Sequence, residues 1–587
     1  MTENPAGTGG EASGEKPATE PPSSPPPSTS APPSRKDSDL RSAALVSVLT
    51  LLSRITGVIR DNLQARVFGS GWVADAFTLA FRIPNLFRML FGEGALSASL
   101  VPIFMRMEEE GERERARRLL CGAFTVLAIF LSVLVLAGEG LCLVGSNALE
   151  RVAAASAPAP AGQHAPWAVE RLALRLLYWM LPYIPIVCLA ALSISFLHAR
   201  RRFAVPALTQ TVFNVVMGGF LLFIVLSQKG GFLGIVPRAP EEWSGMLAGG
   251  ILVGGLCQLY FQIPALRREG IALQPMIPGR DPAYREALRA MIPVVFGLSI
   301  FQINNIVDSL IALYIVKSEG AVAILYFGQR LFWLPLTLIG IAVATAVFPT
   351  LARQVARQNR AEISDAMSSA LRVVLFLSVP AALGLILLRE PLVRLFFEYG
   401  AFGADATERT GRVLLCFGLG LWATCALPVL SRCFYAFRDT KTPVKIGVVI
   451  VGLNFVLNLA FAPMFKEAGL ALATSISTTV QVVVFIWILG SDKFNVRVSL
   501  GPSYFGKVLL ATAGMAAACL ALQAWGFPSP AVPARLSFWM RFAAVFVPLG
   551  VSVGVYFLVS TLLRIREAGR ILALLHRPAP NEEDADA

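Results

Sequence analysis

Long apolar runs separated by short polar connectors dominate this chain. From about residue 42 to about residue 563 these runs follow one another. Each is at least as long as the roughly 20 mostly apolar residues that a helix needs to cross the hydrocarbon core of a bilayer. The pattern predicts fourteen membrane-spanning helices, near 42–66, 74–104, 119–143, 172–198, 205–227, 245–265, 287–316, 320–351, 366–388, 411–436, 443–463, 468–491, 503–524 and 539–563. We therefore expect an all-α polytopic membrane protein.

Composition agrees with this pattern. Apolar residues make up 55% of the 587 residues and charged residues only 15%, too little polar surface for several soluble domains. Residues 1–38 are rich in Pro and Ser, and a segment of that composition is predicted to be a disordered tail. The eight cysteines lie almost entirely in apolar runs without a C-x-x-C pair, which favours simple packing over disulfides or metal binding.

The connectors alternate in charge, and this alternation predicts topology. One set is rich in Arg and Lys, at 113–118, 200–202, 267–285, 353–360 and 438–445. Cytoplasmic connectors carry such an excess of basic residues. With an even number of spans, both termini are then expected in the cytoplasm.

Two pairs of segments resemble each other at a spacing of six predicted helices. ALSASLVPIFMR (95–106) lines up with AVATAVFPTLAR (342–353), and FLHARRRFAVP (196–206) with FYAFRDTKTP (434–443). A repeat in the same orientation is typical of transporters whose binding site lies between two related bundles. The predicted divisions are a tail at 1–38, six-helix bundles at 39–270 and 271–492, two further helices at 493–565 and a cytoplasmic tail at 566–587.

Several ionisable residues fall inside the predicted spans, where an isolated charge costs at least about 2.5 kcal/mol to insert. The informative ones are Arg54, Arg60, Asp75, Arg82, Arg88, Glu93, Asp308 and Arg330. Each arginine alone could extend to the membrane surface. As a set, beside the helix breaks expected at Pro84-Asn85 and Pro335, they predict a polar cavity for an anion. Guanidinium groups bind phosphate oxygens in pairs, so a phosphate or pyrophosphate group is the expected ligand.

The spacing of Arg54 and Arg60 limits the shape of that cavity. Six residues along an α-helix place two side chains about 120° apart. Both arginines can face one cavity only if its wall is broad or if the helix bends at Gly57.

A second polar set combines Asp308 with Asn454, Asn458 and Thr474 on two later spans. Carboxylate, amide and hydroxyl oxygens could bind a small cation such as Na⁺. The same side chains could instead form hydrogen bonds between helices, which is common for Asn and Thr in membranes. From spacing alone the second interpretation is favoured.

The segments SRITGVIRD (53–61), ADAFTLAFRIPNLFRMLFGEGALSASLVPIF (74–104) and RDTKTPVKI (438–446) closely resemble the MurJ (MviN) lipid II flippases of the MOP exporter superfamily. The resemblance extends over about residues 40–565. It implies two six-helix lobes around a cationic cavity and a groove for a polyprenyl tail at the last two spans. It also implies the substrate lipid II, undecaprenyl-pyrophosphate carrying a disaccharide-pentapeptide, which moves from the inner to the outer leaflet for peptidoglycan synthesis.

The resemblance also assigns roles to individual residues. It implies cavity arginines at Arg54, Arg60, Arg88 and Arg330, acidic partners at Asp61 and Asp75, and a further carboxylate at Glu93. Together with Arg82 and Asn85 from the charged, proline-broken second span, these residues form the predicted substrate site. It implies a Na⁺ site at Asp308, Asn454, Asn458 and Thr474. Gln329 and Trp333 stand where some relatives carry acidic residues, and Asn458 replaces a carboxylate, which reduces the negative charge available to a cation.

The expected function is therefore lipid II translocation by alternating access, in a chain that works as a monomer, contacts membrane lipids and binds no nucleic acid. One alternative is another MOP exporter, either a polysaccharide-lipid flippase or a drug or cation antiporter. The arginine-rich set argues against a cationic substrate. A membrane enzyme is a second alternative, but its candidate acidic pairs, Asp281 with Glu286 and Asp405 with Glu408, look like ordinary connector charges.

Overall fold

A computed structural model describes residues 35–155, 167–230, 239–271, 274–276, 281–525 and 537–576. Within these ranges the chain forms helices and no strand, so the all-α prediction is confirmed. The first half contains α1 (Arg35–Phe68), α2 (Trp72–Phe87), α3 (Leu96–Glu109), α4 (Arg113–Ala155), α5 (Ala168–Met180), α6 (Tyr183–Ala199), α7 (Ala204–Gly230) and α8 (Pro240–Arg268). A π-helical stretch, Arg88–Ala95, joins α2 to α3.

The second half continues the helical pattern and adds two short helices that the apolar pattern did not predict. It contains α9 (Pro282–Ile311), α10 (Ala321–Pro335), α11 (Ala342–Ala356), α12 (Arg360–Leu387), α13 (Arg389–Phe396), α14 (Ala404–Ala436), α15 (Lys441–Phe465), α16 (Glu467–Leu489), α17 (Pro502–Ala524), α18 (Phe538–Leu562) and α19 (Arg566–His576). π-Helical stretches follow α9 at Ala312–Val316 and α10 at Leu336–Ile341. The two short helices are α13 and α19.

The number of membrane spans is smaller than predicted when length and hydropathy are judged on the described residues. Ten helices there are long and apolar enough to cross a bilayer, and an eleventh is the bent pair α5 and α6. The predicted spans 42–66, 74–104 and 287–316 are helical but are not among these eleven. On the described residues the count of fourteen is therefore not confirmed.

The two segments of the internal repeat adopt the same local structure. In both, an α-helix passes through a π-helical stretch into a second α-helix, first as α2 to α3 and then as α10 to α11. Pro84 lies one turn before the first π-helical stretch, and Pro335 comes directly before the second. Proline removes one backbone donor and opens the helix, and π-helical turns are common at functional sites.

Packing divides the helices largely by position in the chain. α1 packs on α7, α7 on α8 and α2 on α5, whereas α14 packs on α10, α12 and α16. Gly420 of α14 lets α16 approach closely, because a Cβ there would lie 2.5 Å from the Ser475 hydroxyl oxygen. α9 contacts both groups, through α3 and α15. α17 and α18 pack on each other, and the Tyr556 hydroxyl donates to the Phe376 carbonyl at 2.7 Å, which joins α18 to α12.

Candidate functional site

A central cavity of about 610 Å³ lies between the two groups of helices. Its wall includes seven of the predicted site residues: Arg54, Arg60, Asp61, Arg82, Asn85, Arg88 and Arg330. Five arginines face one aspartate in this wall, so the cavity is strongly cationic. The first six belong to α1, α2 and the π-helical stretch after it, and Arg330 belongs to α10.

Arg54 and Arg60 both reach the cavity without a break in α1, which is continuous over Arg35–Phe68. The broad-wall interpretation is therefore the one that the structure supports. Gly57 lies between them and faces α7, where a Cβ would come within 3.3 Å of the Asn214 amide nitrogen. A small residue at this position lets α1 and α7 approach closely.

Asp61 joins the two halves of the cavity. Its Oδ1 lies 2.7 Å from Nη2 of Arg60, and its Oδ2 lies 3.1 Å from Nε of Arg330. Arg60 and Asp61 are 8% and 5% exposed. A buried charge of this kind requires a partner, so the pair is stable here only because the charges lie side by side.

Tyr326 and Asn214 complete this cluster and were not predicted as site residues. The Tyr326 hydroxyl donates to Asp61 Oδ1 at 3.3 Å and accepts from Arg330 Nη2 at 2.8 Å. Arg60 Nη1 donates to the Asn214 side-chain oxygen at 2.9 Å. Tyr326 precedes Arg330 by four residues and therefore shares its helix face, a spacing that could have identified it.

The other cavity arginines differ from this cluster in their contacts. Arg82 donates to the Asn305 carbonyl at 2.7 Å, and its Nε has no hydrogen-bond partner in the described part of the chain. Arg88 donates from Nε to the Asn85 side-chain oxygen at 3.1 Å. Arg54 is exposed. No ion pair joins Arg54 or Arg82 to a carboxylate among the described residues, so the cavity can accept an anion with more than one charge.

The structure places Asp75 outside the cavity, at a contact between the two halves. Its carboxylate is 3% exposed and accepts from the backbone nitrogens of Gly320 and Ala323, each at 2.8 Å. These nitrogens lie at the start of α10, where unpaired N–H groups and the helix dipole favour a negative charge. The side chain of Glu93 lies outside the described residues.

Two glycines allow the backbones of the halves to meet beside Asp75. Gly320 has a φ of +79°, and a Cβ there would lie 1.7 Å from the Ser70 carbonyl oxygen. Gly400 has a φ of +61°, and a Cβ there would lie 2.4 Å from the carbonyl oxygen of Arg66, which accepts from the Ala401 nitrogen at 3.0 Å. We call this contact, formed by residues 62–75 with 317–323 and 396–401, the closed end of the cavity.

The second polar set also comes together, between α9, α15 and α16. Asn458 donates to Asp308 Oδ1 at 2.7 Å and to the Asn454 side-chain oxygen at 2.9 Å. Asn454 donates to the Thr474 hydroxyl at 3.4 Å. Asn458 is fully buried, and its Oδ1 has no hydrogen-bond partner within the described ranges. The set thus holds interhelical hydrogen bonds and an unpaired oxygen that fits a small cation.

The acidic pairs considered for an enzyme are held by arginines. Asp281 lies 2.9 Å from Arg115, and Glu286 lies 3.0 Å from Arg106. The hydrogen bonds from Arg115 lower the pKa of Asp281 below its ordinary value. Glu408 lies 2.6 Å from Arg412. These carboxylates are engaged in ion pairs near helix ends, which leaves them poorly suited to acid-base catalysis.

Comparison with known proteins identifies relatives of the chain. The sequence model of the family described as "Lipid II flippase MurJ" matches residues 64–528. The protein named "Probable lipid II flippase MurJ" from Vibrio cholerae is 35% identical over 439 residues, which are 75% of this chain and 80% of that protein.

Two solved structures share the fold. One, "Lipid II flippase MurJ, inward closed conformation", is similar with a TM-score of 0.69 and 24% identity, over 88% of this chain and 98% of that chain. A multidrug resistance MATE family transporter of the MOP superfamily, in an inward-facing conformation, is similar with a TM-score of 0.53 and 16% identity. That match covers 75% of this chain and 93% of that chain.

Proposed function

Since the chain belongs to the MurJ family of lipid II flippases, we propose that its central cavity binds the pyrophosphate of lipid II and carries the head group across the membrane. The protein is a multi-pass membrane transporter of lipid II and not an enzyme. One observation carries the assignment of the site: arginines from both halves line a single cavity. A pyrophosphate has several oxygens, and guanidinium groups can bind them in pairs.

The closed end suggests how access alternates. Asp75, Gly320 and Gly400 hold the halves together at one end of the cavity, which blocks entry from that side. If both termini are cytoplasmic, as the connector charges predict, the closed end faces outward, so the cavity would load from the cytoplasm. Rocking of segments 39–270 and 271–492 would separate the halves there and release the head group to the other leaflet.

Helices α17 and α18 are the proposed path for the polyprenyl tail. They form the segment 493–565 and expose large apolar side chains, including Leu509, Leu510 and Leu558. A polyprenyl chain kept against this surface would stay in lipid while the charged head crosses through the cavity. Moving a negative charge toward a positive exterior is favoured by about 2.3 kcal/mol per 100 mV, so the membrane potential would assist export.

A reconstituted transport assay tests the site. Proteoliposomes containing the purified chain and fluorescent lipid II should show accessibility of the head group to an external reagent that empty vesicles do not show. A neutral-headed polyprenyl lipid should remain untransported, because only the pyrophosphate engages the arginines. Equal transport of both lipids would rule out the cavity arginines as the anchoring site.

We also propose that the Asp308 set binds Na⁺. Asp308 would supply the charge, and Asn454, Asn458 and Thr474 would supply neutral oxygens after rotation of the amides. The unpaired Oδ1 of Asn458 supports this assignment. A single carboxylate in a buried site predicts weak binding. Arg82 donates to Asn305, three residues before Asp308, which would link this set to the cavity.

A gain-of-function variant tests the Na⁺ site. Asn458→Asp adds a second carboxylate, so we expect the increase in unfolding temperature per added Na⁺ to become at least several-fold larger than in the parent chain. Asp308→Asn should abolish it. The measurement compares NaCl with choline chloride at equal ionic strength, and Glu109→Gln at the exposed end of α3 serves as the control. Identical Na⁺ responses in all four proteins would refute the site.

A further inference from the structure

A second concave site lies where α12, the connector 490–501 and α19 meet, away from the central cavity. Its volume is about 370 Å³. Its wall consists of Asp365, Ser368, Ser369, Arg372, Arg497, Ser499, Arg566, Glu567 and Arg570. We call it the arginine pocket. Four arginines face two carboxylates and three hydroxyl groups, a composition that favours an anion with several oxygens.

Hydrogen bonds hold the wall of the arginine pocket in place. The Ser499 nitrogen donates to the Ser368 hydroxyl at 3.0 Å, which fastens the connector to α12. Arg372 Nη2 donates to the Ser499 carbonyl at 3.0 Å, and its guanidinium lies 5.7 Å from the centre of the Tyr504 ring. A ligand would therefore meet an arginine that is already positioned, which reduces the entropy lost on binding.

The arginines of the pocket are not neutralised by carboxylates. Within the described residues, Arg497, Arg566 and Arg570 form no ion pair with a carboxylate, and the buried Nε of Arg372 has no hydrogen-bond partner. Elsewhere on the surface, Arg412 pairs with Glu408. Three arginines around one concavity are therefore open to an anionic ligand.

The position of α19 indicates where the anion comes from. Ala568 and Ile565 are buried in an apolar cluster with Phe376 and Tyr556, which holds α19 against the ends of the membrane helices. Arg566 and Arg570 are four residues apart and exposed, so they share the opposite, polar face. An amphipathic helix in this position lies at the level of the lipid head groups.

We propose that the arginine pocket binds the phosphate of an anionic phospholipid from the leaflet that α19 borders. A lipid source is favoured over free phosphate because α17 begins at Pro502, directly after the connector, and exposes Phe505 and Leu509 one and two turns along. These side chains lie where acyl chains would descend from a head group in the pocket. The bound lipid would join α19 and the connector to α12, and so hold the α17–α18 pair against the second half of the protein.

Lipid titration of the purified full-length chain, followed by native mass spectrometry, tests this proposal. Phosphatidylglycerol should bind the parent chain more tightly than zwitterionic phosphatidylethanolamine. Arg566→Gln/Arg570→Gln should weaken the first phosphatidylglycerol at least tenfold and leave phosphatidylethanolamine unchanged. Arg267→Gln/Arg268→Gln at the exposed end of α8 is the matched control and should change phosphatidylglycerol affinity less than twofold.

Three outcomes would overturn the proposal. The first is equal loss of phosphatidylglycerol binding in the test and control variants, which would indicate general surface attraction. The second is displacement of the lipid by millimolar inorganic phosphate, which would assign the pocket to a soluble anion. The third is lipid binding that occurs only after the acidic residues of the C-terminal segment are neutralised, namely Glu582, Glu583, Asp584 and Asp586. That result would assign the pocket to this segment of the chain.

Discussion

Replacing Arg330 by Gln is expected to abolish lipid II translocation while the protein still reaches the membrane. Arg330 is the arginine that the second half contributes to the cavity, and its Nε lies 3.1 Å from Asp61. The substitution removes one guanidinium fork from the anion site and leaves Asp61 with Arg60 and the Tyr326 hydroxyl as partners. Charge-assisted hydrogen bonds contribute about 1.5–3 kcal/mol each. Losing the two that the Arg330 guanidinium would donate to the pyrophosphate should therefore reduce transport more than tenfold. Arg330→Lys, which keeps the charge but loses the fork, should be intermediate.

The measurement is complementation of a flippase-depleted bacterial strain, with the membrane level of each variant determined by immunoblot. The double variant Arg330→Gln/Asp61→Asn separates two roles. If Arg330 only neutralises Asp61, the double variant regains function; if Arg330 binds the pyrophosphate, it does not. Arg357→Gln, at an exposed position after α11, is the matched control and should grow normally. Normal growth of Arg330→Gln itself would contradict the proposed site.

Replacing Asp75 by Asn is expected to open the closed end of the cavity. The Asp75 carboxylate accepts from Gly320 and Ala323 across the contact between the halves, and it is 3% exposed. An amide offers one oxygen, carries no charge and brings a donor toward N–H groups that need an acceptor. Losing about 1.5–3 kcal/mol of charge-assisted hydrogen bonding would shift the equilibrium between closed and open states by tenfold or more. Transport should fall with it, because the cycle would stall in one state.

Distances between spin labels at Ser70→Cys and Lys317→Cys would report this shift. In the parent chain a short distance should dominate, and Asp75→Asn should move most of the population to a longer one. Glu319→Gln is the matched control: the Glu319 carboxylate accepts from the Trp72 nitrogen at the same contact, but it is exposed. Exposed charges contribute little, so this variant should resemble the parent. An unchanged distance distribution in Asp75→Asn would show that Asp75 does not hold the two halves together at the closed end.

Much of the cavity could be predicted from the sequence because a charge inside an apolar run is costly. Arg54, Arg60, Arg82 and Arg88 stand out for this reason, since each needs water or an anion within a membrane. The same argument singled out Asp75, but the structure gives it a different partner, the start of α10. The free-energy cost of burying a charge shows that the charge needs a partner. It does not show which group that partner is.

Site residues that are not charges inside an apolar run could not be predicted in this way. Tyr326 is an ordinary aromatic residue in an apolar run, and only the approach of α1 to α10 gives its hydroxyl a carboxylate to contact. The arginine pocket depends on α19. With 11 residues, several of them charged, this helix is too short and too polar to stand out as a membrane span.

By itself, the sequence determined that this protein is a helical membrane transporter with cations facing an internal cavity. Hydropathy and charge act locally, so a run of residues is enough to reveal them. Only the tertiary structure decided that Asp61 bridges Arg60 and Arg330, that Asp75 closes one end, and that three distant segments form the arginine pocket. Tyr326 and Asp61 are 265 residues apart in the chain, and contacts over such separations arise from the packing of whole helices.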